Sequence, residues 1–351
     1  MKKIISIALI LLLLAGMMPT GAFAVTAHAS AKWQQTAKLY GIKGSGTEKA
    51  PYRISEGRQL DVFLSRISDE DFRDVYFELT GDVETSSFAK GKSFAGHFNG
   101  NGHSINVVFA ADNGGRFESL FPTVTKDGVI KNLTVTGDVD TSATLPPCYF
   151  APVCKINDGL ILNCVNDCDV KANVSSFGGI CLTNNGKIAN CVNKGALDNS
   201  RGAFGICAEN YGTVANCVNY GEISKKGGIC GKNEGTVENC YFTNAPDNGI
   251  GAKLTEEQIT AESGSSALIY LLNSYKLEGD MLREKLPWTT DDNGYPQLDY
   301  SKTKLTGSIL SQGYPEIVYG IGGLAVGFFA AMLIFRKKKV VVSSTAVDDE
   351  E

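Results

Sequence analysis

The sequence predicts an all-β solenoid, a parallel β-helix of about seven coils with short helical caps, followed by one C-terminal transmembrane helix. Three observations predict it. A phrase with two cysteines occurs four times, and its copies follow one another after 27, 26 and 23 residues. Each copy alternates apolar residues, as in "TVANCVN", between Gly and Asn residues typical of tight turns. An uncharged apolar stretch covers residues 317–335.

The four phrases share the pattern C-x-x-N-x-G-x-[IV]-x-N-C. Because coils stack about 4.8 Å apart, each recurring residue is expected to lie beside its equivalents in a ladder. The predicted cysteine ladders are Cys154, Cys181, Cys207 and Cys230, and Cys164, Cys191, Cys217 and Cys240. Asparagine ladders, which can form hydrogen bonds from coil to coil, are predicted at Asn157, Asn184, Asn210 and Asn233, and at Asn163, Asn190, Asn216 and Asn239. Glycines form a further column at Gly159, Gly186, Gly212 and Gly235.

An upstream segment indicates what the cysteines do. In "DGVIKNLTV", which aligns with "DGLILNCVN", Leu133 takes the place of Cys164. A position that accepts either residue is most simply an inward apolar one, filled by a free thiol. Disulfides are the main alternative in an exported chain. Equivalent cysteines on stacked coils would hold their Cβ atoms about 4.8 Å apart, beyond the usual range for a disulfide. A metal site is less favoured, because the repeats contain no histidine and no C-x-x-C.

The N-terminus predicts export. Lys2 and Lys3 precede a short apolar run, and Ala22 and Ala24 form an A-x-A cleavage site, so residues 1–24 are predicted to be a signal peptide. Cleavage after Ala29 is a competing possibility. Residues 25–43 are then an N-terminal linker.

The C-terminus predicts a membrane anchor. Residues 317–335 would span about 28 Å as a helix, and the basic residues at 336–339 place the following side in the cytoplasm. The predicted topology is single-pass, with an extracellular ectodomain, a spacer at 301–316 and a cytoplasmic tail at 336–351. A buried core helix is the alternative. The segment "LPWTT" lacks the glycine of a sortase signal, so wall anchoring is not expected.

The flanks of the repeat domain, residues 44–252, predict helical caps. Residues 55–66 are predicted to form an amphipathic helix with Ser55 as N-cap, covering the N-terminal end of the solenoid. Residues 253–300 are predicted to form a C-terminal cap, because a solenoid needs both ends covered. Thr255 and Gln258 there form a capping box, and Leu254 and Ile259 a hydrophobic staple.

The phrase "GGICGKNEGTVENC" resembles the repeats of a group of bacterial surface proteins with GLUG-type repeats, approximately G-G-I-V-G-x-N-x-G-T-I-x-N-C-x-N. The segments "GSGTEKAPYRIS" and "FAGHFNGNGHSI" also resemble that group. The resemblance covers roughly residues 44–300 and implies a right-handed β-helix with a cell-surface or adhesive role. The chain departs from the pattern where Cys replaces an aliphatic residue, and only the last repeat keeps the following glycine, Gly231.

Catalytic and metal sites receive little support from the sequence. His97 and His103 flank one turn and invite a metal site, but turn residues are the preferred interpretation. Glycoside hydrolysis needs two nearby carboxylates. Candidate pairs with neighbouring bases are Asp138 with Asp140, and Asp167 with Asp169, beside Lys155 and Lys171. Alternating aspartates are also ordinary on a solvated strand, so no catalytic residue, cofactor or metal is predicted.

The leading prediction is a membrane-anchored bacterial surface protein that serves adhesion or recognition. Its partners would be the membrane, through residues 317–335, and a host or bacterial glycan or a surface protein, contacted by exposed residues such as Tyr211, Tyr220 and Lys232. The net charge of −5 gives no reason to expect nucleic-acid binding. A structural stalk is the alternative, and a polysaccharide lyase or glycosidase is less favoured. Exposed aromatic rows would favour binding, a uniformly polar surface the stalk, and a groove with converging Asp and Lys the enzyme.

Overall fold

A computed structural model describes residues 29–89, 93–108, 119–140, 149–172, 176–199, 202–301 and 303. The predicted signal peptide, transmembrane helix and cytoplasmic tail, and most of the predicted spacer, lie outside these residues. In the part of the chain that the structure describes, no helix is long and apolar enough to cross a membrane.

Most of the described chain forms parallel strands stacked into four sheets, as in a parallel β-helix. Sheet 1 contains Tyr52–Ile54, Tyr76–Leu79, His97–Asn99, Val129–Lys131, Leu160–Leu162, Lys187–Ala189, Thr213–Ala215 and Thr236–Glu238. Sheet 2 contains Val83–Thr85, Ser104–Val107, Thr134–Asp140, Val165–Ala172, Val192–Asn193, Val218–Asn219, Tyr241–Phe242 and Ala252–Lys253, with Leu197–Asn199 paired to the second half of Val165–Ala172. Sheet 3 contains Ser93–Phe94, Phe121–Val124, Cys154–Asn157, Cys181–Asn184, Cys207–Asn210 and Cys230–Asn233. Sheet 4 contains Tyr149–Phe150, Ser176–Gly178, Ala203–Phe204 and Lys226–Gly227.

One coil passes through the sheets in the order 3, 1, 2 and 4. The chain then returns to sheet 3, where Cys181 lies in register with Cys154, as the repeat predicted. Within the described residues, the strands of sheet 1 mark eight coils where about seven were predicted. The handedness of the solenoid stays a prediction.

The corner between sheets 1 and 2 is an asparagine in every repeat. Its members have φ between +50° and +55°, a left-handed conformation that Asn tolerates better than most residues, at Asn132, Asn163, Asn190, Asn216 and Asn239. Each of the last four donates from its side-chain amide to the side-chain oxygen of the asparagine one coil before it, at 2.7–2.8 Å. The corner therefore combines a turn conformation with a continuous hydrogen-bonded ladder.

Two further asparagine ladders run along the solenoid in the opposite direction. In the first, Asn157, Asn184 and Asn210 each donate at 2.8 Å to the equivalent residue of the next coil, ending at Asn233. In the second, Asn166 donates to Asn193 and Asn193 to Asn219, each at 2.6 Å. The sequence analysis did not include this last ladder, although the recurring "NCVN" and "NCVNY" carry it.

The interior of the solenoid contains the two cysteine ladders. All nine described cysteines are buried and free. Cys154 lies in register with Phe121, and Leu133, the equivalent of Cys164, is also fully buried. Burial raises the pKa of the Cys191, Cys217 and Cys240 thiols well above their ordinary value. The thiols thus serve as small apolar side chains in the core.

Two helices close the N-terminal end, α1 at Ala31–Leu39 and α2 at Gly57–Arg66. Trp33 of α1 is fully buried and packs edge-on against Tyr52 and Phe72, with ring centroids 5.6 and 5.1 Å away. Phe63 of α2 reaches Phe77 at 4.4 Å, inside the first coils. The prediction of a helical cap is therefore confirmed for α2. The prediction of a linker over residues 25–43 is wrong for its described part, because Trp33 anchors α1 in the core.

The predicted N-cap of α2 is also wrong. The N-cap is Glu56, whose side chain makes no capping hydrogen bond, and the helix begins at Gly57. Ser55 instead gives its backbone N–H to Gln59 Oε1 at 2.8 Å, and Gln59 Nε2 donates to the carbonyl of Tyr40 at 3.1 Å. The Gln59 side chain thereby ties the start of α2 to the end of α1.

Residues 254–301 and 303, which we call the strap, contain α3 at Glu256–Thr260, α4 at Leu268–Ser274, α5 at Asp280–Glu284 and an antiparallel hairpin of Trp288–Thr290 and Pro296–Leu298. The predicted capping box of Thr255 and Gln258 is present. Leu254 and Ile259 pack in one apolar cluster, as the predicted staple requires.

The strap lies along the side of the solenoid, whereas the sequence predicted an end cap. It passes the asparagine corner, where Asn190 donates to the carbonyl of Leu286 at 3.1 Å and accepts from Trp288 Nε1 at 2.6 Å. Further along the strap, Thr303 Oγ1 donates at 3.2 Å to the carbonyl of Asn101, which belongs to the third coil from the N-terminal end. The strap takes this lateral course because a row of apolar side chains faces outward and would otherwise be exposed to water. The row is formed in register by Val165, Val192, Val218 and Tyr241.

We expect Asn190→Ala to lower the free energy of unfolding by about 4 kcal/mol, measured by urea denaturation. About 1 kcal/mol arises from placing alanine at φ +54°, and the rest from the hydrogen bonds with Asn163, Leu286, Trp288 and Asn216. Asn190→Gly is the matched control, since it removes the same hydrogen bonds without the backbone strain. It should lose about 1 kcal/mol less than alanine. Equal losses would contradict the conformational part of the argument.

We also expect the protein to lose stability as the pH rises above about 9, because unfolded thiols ionise there while the buried ones stay neutral. The ordinary thiol pKa is 9.0, and the folded values of Cys191 and Cys217 lie well above it. Above about pH 9 the unfolded chain binds fewer protons than the folded chain. The contribution of the buried thiols to the free energy of unfolding is therefore complete below about pH 9 and decreases above it. Melting temperatures in the presence of a reductant would show this. A Cys191→Val variant should show a smaller decrease in melting temperature. An unaltered protein whose melting temperature stays constant between about pH 8 and pH 10.5 would contradict the prediction.

Candidate binding groove

The structure buries most of the predicted ladder residues, which therefore cannot meet a ligand, whereas Asn233 is exposed and Asn239 half-buried at the last coil. The eight ladder cysteines, and Asn163, Asn190 and Asn216, are at most 3% exposed. Asn239, at the last coil, bonds to Asn216, to the carbonyl of Leu271 and to Tyr241 Oη. These residues hold the coils in register and leave the sheet surfaces as the place for a site.

Three of the candidate aspartates, Asp138, Asp167 and Asp169, lie on the outer face of sheet 2. Asp167, Asp169 and Lys171 are exposed and alternate with the buried Cys168 and Val170, as the strand interpretation predicted. Asp169 lies in register with Asp138, and its Oδ1 accepts the backbone N–H of Ala196 at 2.7 Å. Together with Asp198 they border a shallow pocket of about 260 Å³.

The structure separates two sets of candidate residues, Lys155 from the aspartates and His97 from His103. Lys155 belongs to sheet 3 and lies away from the aspartates on sheet 2. His97 stacks on Tyr76 at 4.2 Å with nearly parallel rings, whereas His103 Nδ1 lies 3.4 Å from Asp82 Oδ1. Burial lowers the pKa of His97, with Lys131 adding to the effect. Among the described residues, no group of three potential ligands could hold a metal ion.

An open groove of about 580 Å³ lies on the outer face of sheet 1, and we call it the sheet 1 groove. Its floor contains one residue from each of three successive coils, in register: Leu160, Lys187 and Thr213. One wall is the turn between sheets 3 and 1, and the other is the strap between Glu278 and Met281. The groove therefore runs along the solenoid axis.

Glycines make the turn wall flat. A Cβ atom on Gly186 would lie 2.3 Å from the carbonyl oxygen of Gly159, and one on Gly212 would lie 2.1 Å from that of Gly186. No side chain fits between coils at this column. The predicted glycine column thus has a steric origin, and it leaves the groove open to a ligand.

The polar groups of the groove form a mixed set. Asn185 Nδ2 donates to Asp158 Oδ1 at 2.7 Å across neighbouring coils, and Lys126, Lys187 and Glu278 add charges of both signs. Beside it, Lys131 Nζ pairs with Glu284 Oε2 at 2.7 Å. Hydrogen-bond donors and acceptors beside the apolar side chains of Leu160 and Met281 can bind a polyhydroxylated chain. Sequence reasoning missed this groove because its second wall comes from the strap.

The predicted contact residues divide into two groups. Tyr211, 41% exposed, follows Asn210 at the edge of the groove wall, and Lys232 Nζ lies 5.1 Å from its ring centroid and 2.6 Å from Glu234 Oε1. Tyr220 lies under the strap, where its hydroxyl donates to the carbonyl of Pro296 at 2.9 Å. The prediction of Tyr220 as a ligand contact is therefore wrong, because the strap covers it.

Comparison with known proteins gives limited matches. No protein-family profile matches the chain. Over 115 residues it is 27% identical to a protein of Evansella cellulosilytica described as "Putative Gly-rich membrane protein", and the match covers 29% of this chain and 13% of that protein. Its fold is similar to the crystal structure of "a putative immunoglobulin A1 protease" from Bacteroides ovatus, with a TM-score of 0.45, 18% identity, and coverage of 73% of this chain and 94% of that one. Membership in the GLUG-repeat group stays a prediction.

Proposed function

We propose that the chain is a membrane-anchored protein of the bacterial cell surface whose β-helix binds a glycan in the sheet 1 groove. The observation that carries the proposal is the groove itself, with Leu160, Lys187 and Thr213 in register along the solenoid axis. The predicted export signal, the apolar segment at 317–335 and the similarity to a protein named as a membrane protein support the location.

A glycan suits this groove better than a globular partner. Its floor and walls combine apolar groups, from Leu160 and Met281, with the amide of Asn185 and the ammonium of Lys187. A sugar ring likewise presents apolar faces and a rim of hydroxyls. Successive coils repeat the same geometry about every 4.8 Å, so a polymer lying along the axis meets equivalent positions.

A structural stalk is the second candidate. It is supported by the three asparagine ladders and by the strap, which commit much of the surface to holding the coils together. The enzyme remains the third candidate. The sheet 1 groove does contain Asp158 with Lys126 and Lys187, but Asp158 is engaged by Asn185 at 2.7 Å.

The binding test uses the full-length chain displayed on bacterial cells and incubated with an array of host and bacterial polysaccharides. We expect saturable retention of one glycan class, without new reducing or unsaturated ends. Asn185→Ala combined with Lys187→Ala should raise the Kd about tenfold, which corresponds to about 1.4 kcal/mol. Lys171→Ala, an exposed lysine on sheet 2, is the matched control and should leave the Kd unchanged.

Retention that is equal in the double variant and the control would exclude the sheet 1 groove as the site. Cleaved products would support the enzyme. No retention of any glycan by well-folded, displayed protein would leave the stalk as the better account.

The proposed topology has its own test. On intact cells carrying a C-terminal tag, an added protease should remove the ectodomain and leave a short tagged fragment inside the membrane. A control on permeabilised cells should also lose the tag. Protection of the whole chain in intact cells would contradict the surface location.

A further inference from the structure

We propose that Cys207 and Cys230 form a disulfide when the protein meets a small-molecule disulfide outside the cell. Their sulfur atoms lie 3.3 Å apart and face each other in the interior of the solenoid. The two residues are in register on neighbouring strands of sheet 3, and both are fully buried. Nothing in the binding proposal depends on this pair.

The backbone spacing is compatible with a disulfide. Strands in register lie about 4.8 Å apart, which falls within the Cα–Cα range of roughly 4.4–6.8 Å that disulfides occupy. The distance that argued against bridging concerned Cβ atoms held parallel by an ideal ladder. In this pair the sulfur atoms have turned toward each other, and what remains is a small approach of the two strands that brings the Cβ atoms from about 4.8 Å to the roughly 4.5 Å that a disulfide allows.

Other ladder thiols are oriented differently. Cys154, Cys181 and Cys217 each donate to a carbonyl two residues away along the chain, at 2.9, 3.1 and 3.3 Å. Cys191 and Cys240 follow the same pattern, each at 3.1 Å. The Cys207 thiol has Cys230 as its main partner, and this contact together with burial raises its pKa well above the ordinary value.

The position of Cys230 also favours bridging at this place. Its strand, Cys230–Asn233, is the last of sheet 3 within the described residues, and the second half of the strand, Lys232 and Asn233, is exposed. A shift of this terminal strand toward its single neighbour in the sheet has to stretch the hydrogen bond that Asn248 Nδ2 donates to the carbonyl of Cys230 at 2.8 Å. Local opening of such an edge also admits a small reagent to the thiol.

The step balances as a thiol–disulfide exchange. The Cys230 thiol loses its proton, and the thiolate attacks one sulfur of the small-molecule disulfide, releasing one small thiolate. The Cys207 thiolate then attacks the Cys230 sulfur of the mixed disulfide and releases the second. Two protein thiols are oxidised, one small disulfide is reduced to two thiols, and the two protons leave with them.

The disulfide would link the last described coil of sheet 3 covalently to the one before it, through two cysteines that are 23 residues apart along the chain. Exposed strand edges are prone to fraying and to unwanted pairing. A link that closes a loop of this length should raise the melting temperature by roughly 5 °C.

The test incubates the full-length chain in detergent with oxidised glutathione, then blocks remaining thiols with iodoacetamide under denaturing conditions. We expect peptide mapping to find one link, Cys207 to Cys230, that a reductant removes. Two of the ten thiols should become unavailable to the reagent. The melting temperature of this oxidised sample should exceed that of the reduced sample.

Cys230→Ala should abolish the link and the rise in melting temperature. Cys191→Ala, which alters a thiol of the other ladder, should keep both, so the pair also controls for any general effect of a core cavity. The proposal is overturned if all ten thiols stay reactive, or if the mapped link joins other cysteines in the unaltered chain. Neither outcome bears on glycan binding in the sheet 1 groove.

Discussion

The structure depends on one constraint, which is that the five successive coils from Asn132 to Asn239 must turn at the same corner in the same conformation. Asparagine meets it twice over, because it tolerates a φ near +54° and its side chain bonds to the coil below. Once these corners are aligned, sheets 1 and 2 are in register on either side. The thiols then stack inside the solenoid and the glycines at the next turn permit close contact of the backbones. Stacking about 4.8 Å apart converts a repeated phrase into columns of identical contacts.

Much of the fold follows from the repeat. The spacing predicts the registers of Cys154 with Cys181 and of Asn157 with Asn184, since equivalent residues must lie side by side in stacked coils. Leu133 in a cysteine column indicated the inward direction. The ladder of Asn166, Asn193 and Asn219 carried the same signal and was missed.

What lies outside the repeat was harder to predict. The lateral course of the strap depends on the outward row of Val165, Val192 and Val218, whose exposure becomes evident only once the coils are stacked. The strap also covers Tyr220, which the sequence alone predicts to be an aromatic residue at the surface. The sequence predicts a linker where the helix around Trp33 forms, because the partners of Trp33, Tyr52 and Phe72, lie well beyond it along the chain. The sheet 1 groove belongs to this class too, since it needs both the repeat and the strap.

The strap links stability to the proposed function. Its polar contacts include those with Asn163 and Asn190, and its loop near Glu278 forms a wall of the groove. A ligand in the groove would therefore contact the coils and the strap together. The same arrangement suits a stalk, which needs a stable stack more than a cleft, so binding data decide between the two.

Hydrogen exchange of the full-length chain, followed by mass spectrometry, tests the central claim most directly. The account predicts that residues 284–290 of the strap exchange as slowly as residues 187–193 of the coil. The backbone N–H of Leu286 donates to Asn163 Oδ1 of the asparagine corner at 3.3 Å, and that of Trp288 donates to Asn273 Oδ1 at 2.9 Å. Rapid exchange of residues 284–290 beside a fully protected coil would contradict it, and the asparagine ladder would then hold the solenoid without the strap.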